Sequence, residues 1–86
     1  MKSPLCVIRD QLVGYMNPFI ATNEDVAMRD FKVVINDDKS MMYHNPAHFD
    51  LYRIGEFDSN TGIIDPCEPT IICTGLSVWR DDHVQD

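Results

Sequence analysis

The sequence predicts an α+β domain: a small antiparallel sheet of three to four strands with one main helix packed on one face. Three observations predict it. Apolar runs rich in aromatic and β-branched residues stop at turn residues, as in Leu51–Phe57 before Asp58-Ser59-Asn60-Thr61-Gly62. One segment, Asn23 to Ile35, spaces its apolar residues as a helix does. The 86 residues make one domain, 1–86, whose size allows only a modest core.

Leu5-Cys6-Val7-Ile8-Arg9 reads as the first strand. Gln11 to Gly14 either extends it or begins a loop. Asn17-Pro18 breaks regular structure, because the residue before proline avoids the helical region. Phe19 and Ile20 resume an apolar segment expected on the core. Thr22 is placed to cap the helix, with Asp25 in the capping-box position. Ala27, Phe31, Val34 and Ile35 form its buried face, and Asp25 can pair with Arg29 one turn on. Asn36-Asp37-Asp38 ends it.

Ser40 is expected to cap a helical turn over Met41–Tyr43. Asn45-Pro46 interrupts that turn and can open another carrying Ala47 and Phe49. Leu51–Phe57 is a strand that turns at Gly62, a glycine placed where a bulged hairpin needs positive φ. Ile63-Ile64-Asp65 returns as its partner. Pro66 and Pro69 bracket Cys67-Glu68 as a loop. Thr70–Thr74 is a further strand, Ser77–Arg80 a short edge strand, and 81–86 a frayed polar tail. The first strand travels over the helix to join the C-terminal ones, in an order the sequence leaves open.

The net charge of −7 argues against nonspecific binding to duplex DNA, though not against a local basic patch. It suits solubility or a basic protein partner. Cys6, Cys67 and Cys73 match no zinc spacing and read as small buried hydrophobes. No apolar run approaches the roughly 20 residues of a membrane span, and the N-terminus does not read as a signal peptide, so a cytoplasmic protein is expected.

His44 and His48 have the spacing of paired metal ligands, but Asn45-Pro46 between them spoils it. Asp58-x-Asn60 has the spelling of a calcium loop without its later glycine and glutamate; a turn is the better reading. No nucleophile sits in a recognisable setting, and neither catalysis nor a cofactor is expected.

Single-stranded nucleic acid needs aromatic faces with cations beside them. Tyr52 and Arg53 are the adjacent pair of that kind, with Arg9, Arg29, Lys32 and Arg80 as further cations. Strict alternation puts Tyr52, Ile54 and Glu56 on one face and Leu51, Arg53, Gly55 and Phe57 on the other. A small open sheet also invites self-association, with Tyr15 and Trp79 as candidate contacts in a homodimer.

Four pieces of the chain fall in a particular order. They are Val7-Ile8-Arg9-Asp10, Asn17-Pro18-Phe19-Ile20, Asn23-Glu24-Asp25-Val26-Ala27-Met28-Arg29-Asp30-Phe31, and Asn45-Pro46-x-x-Phe49-Asp50-Leu51-Tyr52 running into Ile54-Gly55-x-Phe57-Asp58-x-x-Thr61-Gly62. Together they resemble the small nonstructural protein of gokushoviruses, single-stranded-DNA bacteriophages of the Microviridae, over about residues 5 to 75. His48 stands where that pattern has an acid. The resemblance implies a phage protein absent from the mature capsid and working in the host cytoplasm. It implies a DNA-binding label and a role when replication turns to single-stranded progeny DNA, or in packaging. It carries over no catalytic residues. Arg9, Arg29, Lys32, Tyr52 and Arg53 are the residues expected to touch such DNA. The alternative is an acidic module that binds a viral or host replication protein and leaves DNA alone.

Overall fold

A computed structural model describes residues 1–79; Arg80 and the tail 81–86 lie outside the described residues. The fold is α+β, with a five-stranded antiparallel sheet and helices on one side. The strands are β1 (Lys2–Asp10), β2 (Gly14–Tyr15), β3 (Phe19–Ile20), β4 (Phe49–Asp58) and β5 (Ile64–Thr74). The helices are α1 (Glu24–Ile35), α2 (Met41–His44) and α3 (Gly75–Val78), with a 3-10 turn at Pro46–His48. The sheet order is β2-β1-β4-β5, and β3 pairs with β1 beyond β2 on the same edge. The first and fourth strands thus meet at the centre, and α1 lies in the connection between β3 and β4.

Local chemistry explains α1. Asn23, not Thr22, is the cap: its side chain accepts from the Val26 amide at 2.8 Å. Either residue suits the position. Glu24 and Asp25 then fill the first turn, where carboxylates favour the helix dipole. Ala27, Phe31 and Ile35, four residues apart, are the buried stripe, whereas Val34 lies at its margin and is exposed. Arg29 reaches Asp30 at 3.9 Å instead of the expected Asp25. Ser40 caps α2 as its position suggests, accepting from the Met42 amide. Asn45 does not cap the 3-10 turn; its amide group donates back to the Met41 carbonyl.

The core lies between α1 and one face of the sheet. Phe31 and Ile35 meet Cys6, Phe49 and Leu51 there, with Met42 closing the end. Burying side chains of this size contributes about 1.5–3 kcal/mol each.

Three further expectations fail, each for a physical reason. Cys67-Glu68 is no loop: β5 runs unbroken through it, and its prolines are tolerated because β5 is an edge strand. Ser77–Arg80 is no edge strand as far as the described residues reach. Thr74 Oγ1 accepts from the Ser77 amide at 3.1 Å and so starts the helical turn α3. Strict alternation on β4 also breaks. Arg53 pairs with Cys6 but Gly55 pairs with Leu5, so Ile54 is the extra residue of a β-bulge. Beyond it every side chain changes face. Arg53 therefore shares a side with Glu56, and Tyr52 with Gly55 and Phe57.

Candidate nucleic-acid interface

The helices all pack on the face carrying Cys6, Ile8, Phe49 and Leu51. Among the described residues no helix covers the other face, although Val7 and Asp50 are buried on it beneath neighbouring side chains. On β1 it carries Leu5, Val7 and Arg9, and on β4 it carries Asp50, Tyr52, Gly55 and Phe57. Tyr15 joins it opposite Arg9, and Ile71 joins it opposite Tyr52.

On this bare face three side chains converge. The Tyr15 and Tyr52 rings meet edge to face, 5.7 Å between centroids. The Arg9 guanidinium sits 5.7 Å from the Tyr15 centroid, within cation–π range. The β1–β2 turn makes this possible. Gly14, at φ 130°, takes a conformation that disfavours other residues and brings Tyr15 back beside Arg9. Asp50 lies buried on the same face and is already bonded, by the Gln11 side chain at 2.9 Å and the Gly75 amide at 3.4 Å.

The other expected contact residues lie elsewhere. Arg29 and Lys32 project from α1 and line an open groove of about 340 Å³ with Asp25, Met28, Ser77 and Val78. Asp25 sits among those cations and offsets part of their charge. Arg53 is on the helix side, held by Glu24 at 3.1 Å and Glu56 at 2.9 Å. The hydrogen bond it donates to Glu24 is the main cause that raises its pKa, and Glu56 adds to it. The guanidinium is thus already paired with two carboxylates.

The structure thus brings together Arg9 and Tyr52, adds Tyr15, and separates Arg29, Lys32 and Arg53 from them. Trp79 packs on the helix side, where its indole N–H donates to the Tyr43 carbonyl at 3.1 Å. It shares no face with Tyr15. The pairing of Arg9 with Tyr15 had a faint signal in the sequence: Gly14 five residues after Arg9, where a short hairpin can fold back.

The sequence matches the family described as Phage ORF5 protein over residues 3–78. The chain belongs to that phage protein family. Comparison with curated proteins and with solved structures gives no significant match.

This member of the Phage ORF5 family carries its cysteines as thiols. Cys6 is buried, Cys73 half-buried and Cys67 exposed, so the last departs from the buried reading. Burial, and then the Asp50 carboxylate, push the Cys73 thiol up to about 11. Burial is also the main cause that raises Cys6, with Glu24 second. His44 Nε2 lies 3.1 Å from the Asp38 carbonyl, and His48 belongs to the separate 3-10 turn.

Proposed function

We propose that this phage protein is a nonstructural factor that assists synthesis or packaging of a single-stranded viral genome in the host cytoplasm. In this reading it acts by binding a basic viral or host replication or packaging protein. The setting is supported by membership of a phage family and by the gokushovirus resemblance of residues 5 to 75. The mode of action is supported by one observation above all: Arg9, the Arg29–Lys32 pair and Arg53 occupy three separate places. DNA phosphates need cations in a continuous track. An acidic chain with 14 carboxylates against seven Lys and Arg is better suited to meet a basic protein, whose approach its field would steer.

Fluorescence anisotropy with a labelled single-stranded oligonucleotide, at about 50 and 200 mM salt, is the test. The proposal expects no binding at tens of micromolar protein. It expects that the basic replication or packaging protein of the same phage, titrated in the same way, binds and weakens as salt rises. Micromolar DNA binding that falls with salt would overturn it.

A second reading is favoured by the Arg9–Tyr15–Tyr52 cluster, which can stack unpaired bases beside a cation. It expects DNA binding that is lost in Tyr15→Ala and Arg9→Ala and kept in Lys32→Ala.

A further inference from the structure

The bare face of the sheet has the pattern of an interior surface and, among the described residues, no helix over it. Tyr15, Ile20, Ile64 and Ile71 all belong to it and are 51, 49, 51 and 49% exposed. Each loses half its surface to strand neighbours and shows the rest to water. Its charge is as distinctive as its apolarity. At strand positions whose register is fixed, among the described residues, Asp50 is its one carboxylate, and that group is buried and bonded. Asp10, Glu56, Asp58 and Asp65 all fall on the helix side of the same strands. Among the described strand positions of fixed register, a protein of charge −7 thus places no exposed carboxylate on this face; Glu68 lies in the irregular part of β5, outside that register.

We propose that the bare face is the interface of a homodimer, in which two copies pack sheet to sheet with their helices outward. A second copy fits on three counts. Two acidic chains repel each other over most of their surfaces and can meet where the register-fixed positions carry no exposed carboxylate. The molecule, about 47 × 25 × 19 Å, is large enough for one of its faces to supply the roughly 800 Å² per partner that a stable pair buries. Two twisted sheets pack face to face at about −30°, so the same patch serves both copies about a two-fold axis. Arg9 lies by β2 at the edge of the sheet, where the rim of such an interface stays wet. The edge of β5 is the weaker route to a pair. Pro66 and Pro69 take away two amide donors, and its pairing with β4 is broken by a bulge between Arg53 and Gly55.

The proposal goes beyond partner binding, which would use the acidic helix side. It competes with base stacking on Tyr15 and Tyr52, because a second copy would cover them.

Sedimentation equilibrium of the full chain over about 1–200 µM, a range chosen to span weak and moderate dimers, tests it. The expected mass is twice the 9.9 kDa of one chain. Ile71→Glu places one buried charge from each copy in the interface and should weaken association about a hundred-fold or more. Val33→Glu, on the exposed side of α1, should leave it within a few-fold of wild type. Thermal melts of both variants check that they fold. Ile64→Glu, further from the core, repeats the test if Ile71→Glu does not fold. Association should also tighten between about 50 and 200 mM salt, because screening weakens the repulsion of two acidic chains. A monomer throughout the range would overturn the proposal. So would a dimer that survives both substitutions in folded protein, since its interface would lie elsewhere.

Discussion

Arg53 looks on paper like the best DNA contact on the most strand-like segment, and the structure gives it another task. Its guanidinium spans Glu24 at the start of α1 and Glu56 beyond the β4 bulge. The perturbation is Arg53→Ala. Both ion pairs are about one-third to one-half exposed, so water and salt screen them and each contributes about 0.5–1 kcal/mol. The substitution also strips the aliphatic stem from the helix–sheet seam and leaves two carboxylates near each other without their shared cation. The loss should total about 1–3 kcal/mol. For a domain of this size that lowers the melting temperature by about 4–8 °C per kcal/mol. The assay is thermal unfolding by circular dichroism, repeated for Glu24→Gln and for the double variant. The single losses should fail to add, with a coupling of about 0.5–1 kcal/mol that shrinks in high salt. An Arg53→Ala protein that melts like the wild type but has lost an activity toward nucleic acid would refute the structural assignment of this residue.

Further predictions concern packing and thiols. Gly75→Ala should destabilise by about 2–3 kcal/mol, because a Cβ there would press on the carbonyl oxygens of Pro46 and Phe49, both backbone atoms that cannot swing aside. A urea midpoint equal to or above wild type would sink that idea. Under native conditions a thiol reagent should modify Cys67 rapidly and Cys6 and Cys73 slowly, with three equivalents reacting in denaturant; two or three fast equivalents without denaturant would contradict the core. Stability should fall in alkali. The fold holds Cys73 protonated up to about 11 against an ordinary 9.0, so above 9 the unfolded chain gives up its proton first. Stability is therefore whole below pH 9 and declines through about 11, and Cys73→Ala should flatten that decline in urea melts at matched pH.

Much of the architecture was legible because it rests on local rules. The stripe of Ala27, Phe31 and Ile35 and the acidic first turn announce α1. Asp58 accepts from the Asn60 amide, and Gly62 sits at φ 76°, so the hairpin turn is written in the residues that form it. Failures came where pairing across the sheet decides. Nothing near Ile54 marks it as the extra residue of a bulge; that depends on which β1 residue lies opposite. The same slip reshaped both sides of the strand, because it moved Glu56 onto the side of Arg53 and Phe57 onto the side of Tyr52. Pro66 and Pro69 read as loop residues because proline removes a donor, yet an outermost strand has donors to spare. The helical turn at Gly75–Val78 had a readable cue in Thr74 as its cap, outweighed by the β-branched and aromatic pattern of Val78-Trp79.

The distribution of charge ties the two proposals together and lets one variable separate them from the alternative. Contacts between cations and DNA phosphates weaken as salt rises, since counterions return to the strand. Contacts between this acidic chain and a basic protein weaken too, by screening. Pairing of two acidic chains through the apolar face must do the opposite. Wild-type protein that binds a basic partner more weakly at high salt while its own dimer tightens would therefore be using two different surfaces. Loss of the dimer on adding single-stranded DNA would instead show that Tyr15 and Tyr52 serve both ligands by turns. In that case Arg9 becomes decisive. Stacked on Tyr15 at the sheet edge, it is the cation best placed to greet a phosphate next to a stacked base, and Arg9→Ala should then abolish DNA binding while leaving the dimer intact.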